Sequence, residues 1–74
     1  MEKEIEVNGK KFVVREILAI DVDGIDFNNR TEAVKKQVIF STKISEEEYN
    51  KLTMKERLAI MKMFNEVNGL QDFQ

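Results

Sequence analysis

The 74-residue sequence contains no cysteine, no histidine, no tryptophan and no proline, and only three glycines. Without Cys there can be no disulfide and no thiolate nucleophile, and without Cys and His there is no zinc site of the usual composition. The absence of His also excludes a Ser-His-Asp catalyst. We therefore expect a protein that is not an enzyme and that uses no cofactor and no metal.

Long apolar runs and concentrated basic charge are missing as well. A membrane-spanning helix needs about 20 mostly apolar residues, and no segment approaches that length. The opening residues 1–4 are too charged for a signal peptide, so we expect a cytoplasmic protein with no membrane partner. Twelve basic and 14 acidic side chains give a net charge of −2. Without a basic patch to neutralise phosphates, a nucleic-acid partner is not expected.

The length indicates a single small domain over residues 1–74 with a limited core. A domain of this size buries only about 60% of the surface that its unfolded chain exposes. A hydrophobic content of 42% is ordinary for a globular chain and disfavours wholesale disorder. Because no covalent crosslink is available, we expect self-association or a protein partner to add stability.

Residues 3–16 show the alternation and the turn of a β-hairpin. Asn-Gly at positions 8–9 separates two alternating segments, and a type I′ turn favours this pair because it requires positive φ at both central residues. A two-residue loop pairs Ile5 with Phe12. Ile5, Phe12 and Val14 then share one face, which must pack on helices because an isolated hairpin is only marginally stable.

Residues 17–30 form a polar connector with many turn-forming residues. Its beginning, residues 17–20, either extends the second strand or starts a short helix. The acidic residues from Asp21 onward loosely resemble a calcium-binding EF-hand loop. That loop requires an oxygen ligand at its fifth position and Gly at its sixth, where this sequence has Ile25 and Asp26. We therefore favour a capping and turn role for this segment.

Helical spacing predicts three helices, over about residues 31–42, 45–52 and 54–68. Asn29 or Thr31 can cap the first of them. Three consecutive glutamates open the second helix and would point negative charge at DNA, which argues against a DNA-binding helix-turn-helix. The predicted fold is α+β, with the N-terminal two-stranded hairpin packed on about three helices.

Capping motifs define the starts of the last two helices. Ser45 with Glu48 and Thr53 with Glu56 form capping boxes, in which each side chain bonds the backbone of the other residue. Gly69 supplies a C-terminal stop for the third helix. The tail after this stop keeps two apolar residues, Leu70 and Phe73, which either fold back onto the core or serve as an attachment point.

The third predicted helix is apolar over more than half of its circumference. A helix of this kind is normally buried on two sides, yet a small domain has little protein to cover both. Two interpretations stay open: a central helix covered by the rest of the domain, or a helix with one side docked on another chain. The candidate protein-binding residues are Met54, Leu58, Ile60, Met61, Phe64 and Val67.

Two parts of the chain resemble the small tail assembly chaperones of long-tailed bacteriophages. The hairpin, with the pattern I-x-V-N-G-K-x-F-x-V-R-E, is similar to the opening of many of these proteins. Residues 41–69 resemble their C-terminal half, which reads as a short capped helix, a second cap and a longer helix ending in Asn-Glu-x-Asn-Gly. Here that ending is Asn-Glu-Val-Asn-Gly at 65–69, the most distinctive of these elements.

The resemblance implies a non-enzymatic phage or prophage tail assembly chaperone. Such a protein coats the tape-measure protein, keeps its apolar helices soluble until tail-tube subunits replace it, and works in the host cell cytoplasm. The resemblance also implies self-association and often a longer, frameshifted form. The alternative is a small self-associating structural or regulatory protein, of phage or archaeal origin, whose function is unrelated to tails.

Overall fold

A computed structural model describes residues 1–70 of the chain, and within this range a hairpin is followed by four helices. The architecture is α+β, as the sequence predicts. The strands are β1 (Glu2–Val7) and β2 (Lys10–Arg15), and the helices are α1 (Ala19–Asp23), α2 (Arg30–Thr42), α3 (Glu46–Asn50) and α4 (Met54–Val67). Strands β1 and β2 form an antiparallel two-stranded sheet.

The hairpin has the predicted turn and register. Asn8 and Gly9 have φ values of 54° and 79°, as a type I′ turn requires. Ile5 is paired with Phe12. Because successive side chains of a strand point to opposite faces, Ile5, Phe12 and Val14 lie on one face of the sheet. Phe12 and Val14 are buried on that face, where both strands contact α4 and β2 also contacts α2.

Helices α2, α3 and α4 each begin with a side-chain cap. The Asn29 side chain accepts from the backbone N–H of Glu32 at 3.2 Å, so Asn29 rather than Thr31 caps α2. Both predicted capping boxes are present, at Ser45 for α3 and at Thr53 for α4. These caps satisfy N–H groups that the first turn of a helix leaves without intrahelical partners.

A residue with positive φ lies just after the end of each of helices α2 and α4. Lys43 follows α2 with a φ of 64°, and its N–H bonds the carbonyl of Ile39 at 2.8 Å. After α4, Gly69 has a φ of 72°, which confirms the predicted stop. The N–H of Leu70 bonds the carbonyl of Asn65 at 2.7 Å, as in a Schellman motif.

One hydrophobic core joins the hairpin to the inner faces of α2 and α4. Partly buried side chains from the α2–α3 connection and from α3 cover its edge. A 2.7 Å ion pair between Lys35 of α2 and Glu46 of α3 holds the two helices together and raises the pKa of Lys35 above its ordinary value. The central buried residues are Val7, Phe12, Val14, Val38, Ile60 and Phe64.

The connector contains more structure than its sequence indicates. Residues 19–23 form the short helix α1, one of the two outcomes left open for its beginning, and Ile25 is buried. Helix α3 ends at Asn50, two residues before its predicted end, and a turn continues to Leu52. Phe73, the second apolar residue of the predicted tail, lies outside the described residues.

Candidate protein-binding surface

Helix α4 builds the core with one face. Ile60 is fully buried, and Phe64 and Val67 are almost fully buried, because these three side chains share the stripe that faces the hairpin and α2. Half of the six candidate binding residues are therefore core residues, which a partner could reach only if the domain opened. This face of α4 is covered by the rest of the domain, as expected for a central helix, but the rest of α4 is not.

A second face of α4 carries a line of exposed apolar side chains. Met54 and Leu58 are 63% and 60% exposed, and Met61 is half-buried at the edge of the core. Their spacing of four and three residues places them in one row along the helix. We call Met54, Leu58 and Met61 the α4 ridge. It contains the candidate residues that remain accessible at the surface.

A cleft of about 320 Å³ borders the N-terminal end of the α4 ridge. Met54 and Arg57 form one side of it, and Tyr49 and Leu52 from α3 and the following turn contribute to the rest. The Arg57 guanidinium lies 3.8 Å from the Met54 sulfur. The ridge and the cleft together offer a row of apolar groups beside a recess, a shape that suits the side chains of a second helix.

Basic side chains flank the α4 ridge. At 100° per residue, Lys55 and Lys62 lie on one side of the row and Arg57 lies on the other. Lys55 and Lys62 are exposed, and no carboxylate within residues 1–70 forms an ion pair with any of the three cations. Glu66 is also exposed on the side of Lys55 and Lys62, so the α4 ridge is flanked by three cations and one carboxylate.

A buried carboxylate fixes the start of α4 against the hairpin. Glu56 is almost fully buried, accepts from the Thr53 backbone N–H at 2.8 Å and lies 3.5 Å from the Lys10 ammonium. The Thr53 hydrogen bond and the Lys10 charge hold the pKa of Glu56 below its ordinary value. This carboxylate therefore links the first turn of α4 to the hairpin.

The end of α4 is fixed by one amide side chain. Asn68 Oδ1 accepts from the Ile17 backbone N–H at 3.0 Å. Asn68 Nδ2 donates to the carbonyls of Arg15, at 3.4 Å, and Phe64, at 3.0 Å. The distinctive Asn-Gly ending is therefore a structural clamp between α4 and the end of β2, because Asn68 bonds the backbone on both sides and Gly69 closes the helix.

Two classes of site are not found in residues 1–70. No group of three or more Asp, Glu, Cys or His side chains is placed to hold a metal ion in this part of the chain. No helix within the same residues has the length and apolar character to cross a membrane. The acidic side chains of the connector do not converge on a common point.

Comparison with known proteins gave no match. The chain matches no protein-family model, no curated protein and no solved structure.

Proposed function

We propose that the protein is a non-enzymatic binding module that docks a helical segment of another protein on the α4 ridge, as a phage or prophage tail assembly chaperone does for the tape-measure protein. The observation that carries the proposal is the division of α4 into a core face and an exposed apolar row. Met54 and Leu58 keep more than half of their surface exposed to water, and neither belongs to the hydrophobic core.

The energetics of the α4 ridge favour a partner. Full burial of a Leu or Met side chain is worth about 1.5–3 kcal/mol, so covering Met54 and Leu58 would give an interface a substantial apolar contribution. Single exposed apolar residues are common, whereas a row beside a cleft is the pattern of a helix-binding surface. An apolar helix such as those of a tape-measure protein has the matching shape.

The ridge can be tested by co-expressing the full chain with a helical fragment of a tape-measure protein. We expect co-purification of the two chains, and we expect Leu58→Glu to abolish it while leaving the monomer folded, because Leu58 is exposed. Ile20→Glu is the matched control, since Ile20 is 72% exposed in α1. Sizing chromatography and circular dichroism measure complex formation and folding.

The results of these experiments distinguish a tape-measure chaperone from a self-associating structural or regulatory protein. Absence of a complex with the wild-type chain, or equal loss of binding in both variants, would count against a tape-measure chaperone that uses the ridge. A tight dimer in light scattering that Leu58→Glu dissociates would instead favour the self-associating structural or regulatory protein.

A further inference from the structure

A second apolar recess lies on the molecule, between α1, α2 and the end of α4. It is an open groove of about 440 Å³, within the range of roughly 300–1,000 Å³ that is typical of ligand sites. It shares no residue with the α4 ridge. Its principal lining residues are Ile17, Val22, Phe27, Gln37, Phe64 and Leu70.

Two large apolar side chains at this groove are left in water. Phe27 is 56% exposed and Leu70 is 51% exposed. Phe64, by contrast, is almost fully buried and forms part of the core beneath. The groove therefore has an apolar interior and an apolar margin, and an occupant would remove Phe27 and Leu70 from water at the same time.

The connector beside the groove is acidic. Asp21 and Asp23 flank the lining residue Val22, and Asp26 immediately precedes Phe27. None of the three forms an ion pair within the described residues 1–70. Across residues 16–30 there are four acidic side chains and a single basic one, so this segment of the chain carries a net negative charge.

We propose that this groove binds an amphipathic helical segment of a partner protein that carries apolar anchors with Lys or Arg beside them. The apolar anchors would cover Phe27 and Leu70, and the basic flanks would meet the carboxylates of Asp21, Asp23 and Asp26. Charge complementarity determines the class of partner: an apolar helix with acidic flanks would meet repulsion at the same margin.

The test uses two synthetic helical peptides and the full chain. Both peptides carry leucine at positions i, i+3, i+4 and i+7; one has lysine at the flanking positions and the other has glutamate. Fluorescence anisotropy at low salt should show the lysine peptide binding at least about tenfold more tightly, and added salt should reduce the difference because the rim charges are exposed.

Substitutions in the chain test whether the lysine peptide binds in the groove. We expect Phe27→Ala to weaken binding of the lysine peptide about fivefold or more, whereas Ile20→Ala, at an exposed residue that lines neither the groove nor the α4 ridge, should leave binding unchanged. The combined Asp21→Asn, Asp23→Asn and Asp26→Asn variant should bring the two peptides to similar affinities. Asparagine at 26 keeps the oxygen that accepts from the Asn28 backbone N–H, so the local turn is preserved.

Several results would overturn the proposal. They are equal binding of the two peptides to the wild-type chain, no effect of Phe27→Ala, and an equal effect of Phe27→Ala and Ile20→Ala. Tighter peptide binding by Phe73→Ala would identify the chain's own tail as the occupant. A dimer in light scattering that Phe27→Ala dissociates would identify a second copy. Because the groove and the ridge share no residue, failure here leaves the function proposed for the ridge untouched.

Discussion

Asn68 shows how one side chain can hold two elements together. Its amide bonds the backbone of Arg15, the last residue of β2, the backbone of Ile17, and the last turn of α4. Ile17 lies beyond Arg15, the last paired residue of the hairpin, so the opposite strand offers no partner for its N–H. A buried or half-buried backbone group without a partner is costly, so the clamp stabilises both ends of the connection.

We predict that Asn68→Ala lowers the free energy of unfolding by about 1–3 kcal/mol, because the Ile17 N–H loses its acceptor in a partly buried site. Asn65→Ala is the matched control: Asn65 is also half-buried near the end of α4, and an amide-to-methyl change there should cost less. Urea unfolding of the two variants measures the difference. Equal destabilisation would show that the clamp adds nothing specific.

Glu56 gives the chain a defined response to acid. Its folded pKa lies below the ordinary value of 4.5, mainly because of the Thr53 backbone hydrogen bond, with the Lys10 charge acting in the same direction. For a depressed carboxyl pKa, the stabilisation is fully present above the unfolded value and is lost as the pH falls through the folded value. This contribution therefore begins to decline near pH 4.5 and is lost only once the pH has fallen below the folded pKa of Glu56.

We predict that Glu56→Gln melts at a lower temperature than the wild-type chain at pH 7, because glutamine keeps an acceptor for Thr53 but loses the charge facing Lys10. The difference in melting temperature should shrink as the pH is lowered below 4.5 and the wild-type carboxyl takes up its proton. Thermal unfolding across this pH range measures it. A difference that stays constant from pH 7 to strongly acidic conditions would contradict the assignment.

At the scale of single elements, the two capping boxes are chemically alike but support helices of different importance. Helix α4 spans 14 residues and buries Ile60, Phe64 and Val67, whereas α3 spans five residues and has no buried residue. Fraying the first turn of α4 also frees Glu56 from its contacts with the hairpin. Fraying α3 is a local event that leaves most of the core in place.

We predict that Thr53→Ala lowers the global free energy of unfolding by about 1 kcal/mol, the usual cost of losing an N-cap. Ser45→Ala should change global stability by less, while amide hydrogen exchange in α3 becomes faster. Urea unfolding and native-state hydrogen exchange measure the two effects. A larger global loss for Ser45→Ala than for Thr53→Ala would mean that α3 is essential to the cooperative unit.

The elements that could be predicted from the sequence are those determined by local chemistry. The Asn-Gly turn imposes its own backbone angles and thereby the register, and the capping boxes mark helix starts within a few residues. Helix α1 has no side-chain cap, so nothing local distinguishes it from a turn. Which face of α4 would be buried depends on the hairpin and α2, and this could not be read from a helix that is apolar on both sides.

At the scale of the whole molecule, the chain uses its few apolar residues unevenly. The radius of gyration of 11.6 Å is close to the value of about 11 Å expected for a compact domain of this length. Even so, large apolar side chains remain exposed, among them Met54 and Leu58 on the α4 ridge and Phe27 and Leu70 at the groove. The ridge and the groove share no residue, so we treat them as separate surfaces.

The division of α4 into a core face and an exposed row gives a last prediction, which concerns the stability of the entire domain. Phe64 is almost fully buried and belongs to the core cluster, and Phe→Ala in a core costs about 3–5 kcal/mol. Small domains have total stabilities near or below the lower end of the usual 5–15 kcal/mol. We therefore expect Phe64→Ala to be largely unfolded at 37 °C.

Leu58→Ala on the opposite face of the same helix is the matched control. Leu58 is 60% exposed, and surface substitutions of this kind usually change stability by less than about 0.5 kcal/mol. Circular dichroism during heating compares the two variants, with the wild-type chain as the reference. If Leu58→Ala destabilises the domain as much as Phe64→Ala does, then Leu58 is a structural residue, and the surface proposed for partner binding on α4 does not exist as a free face.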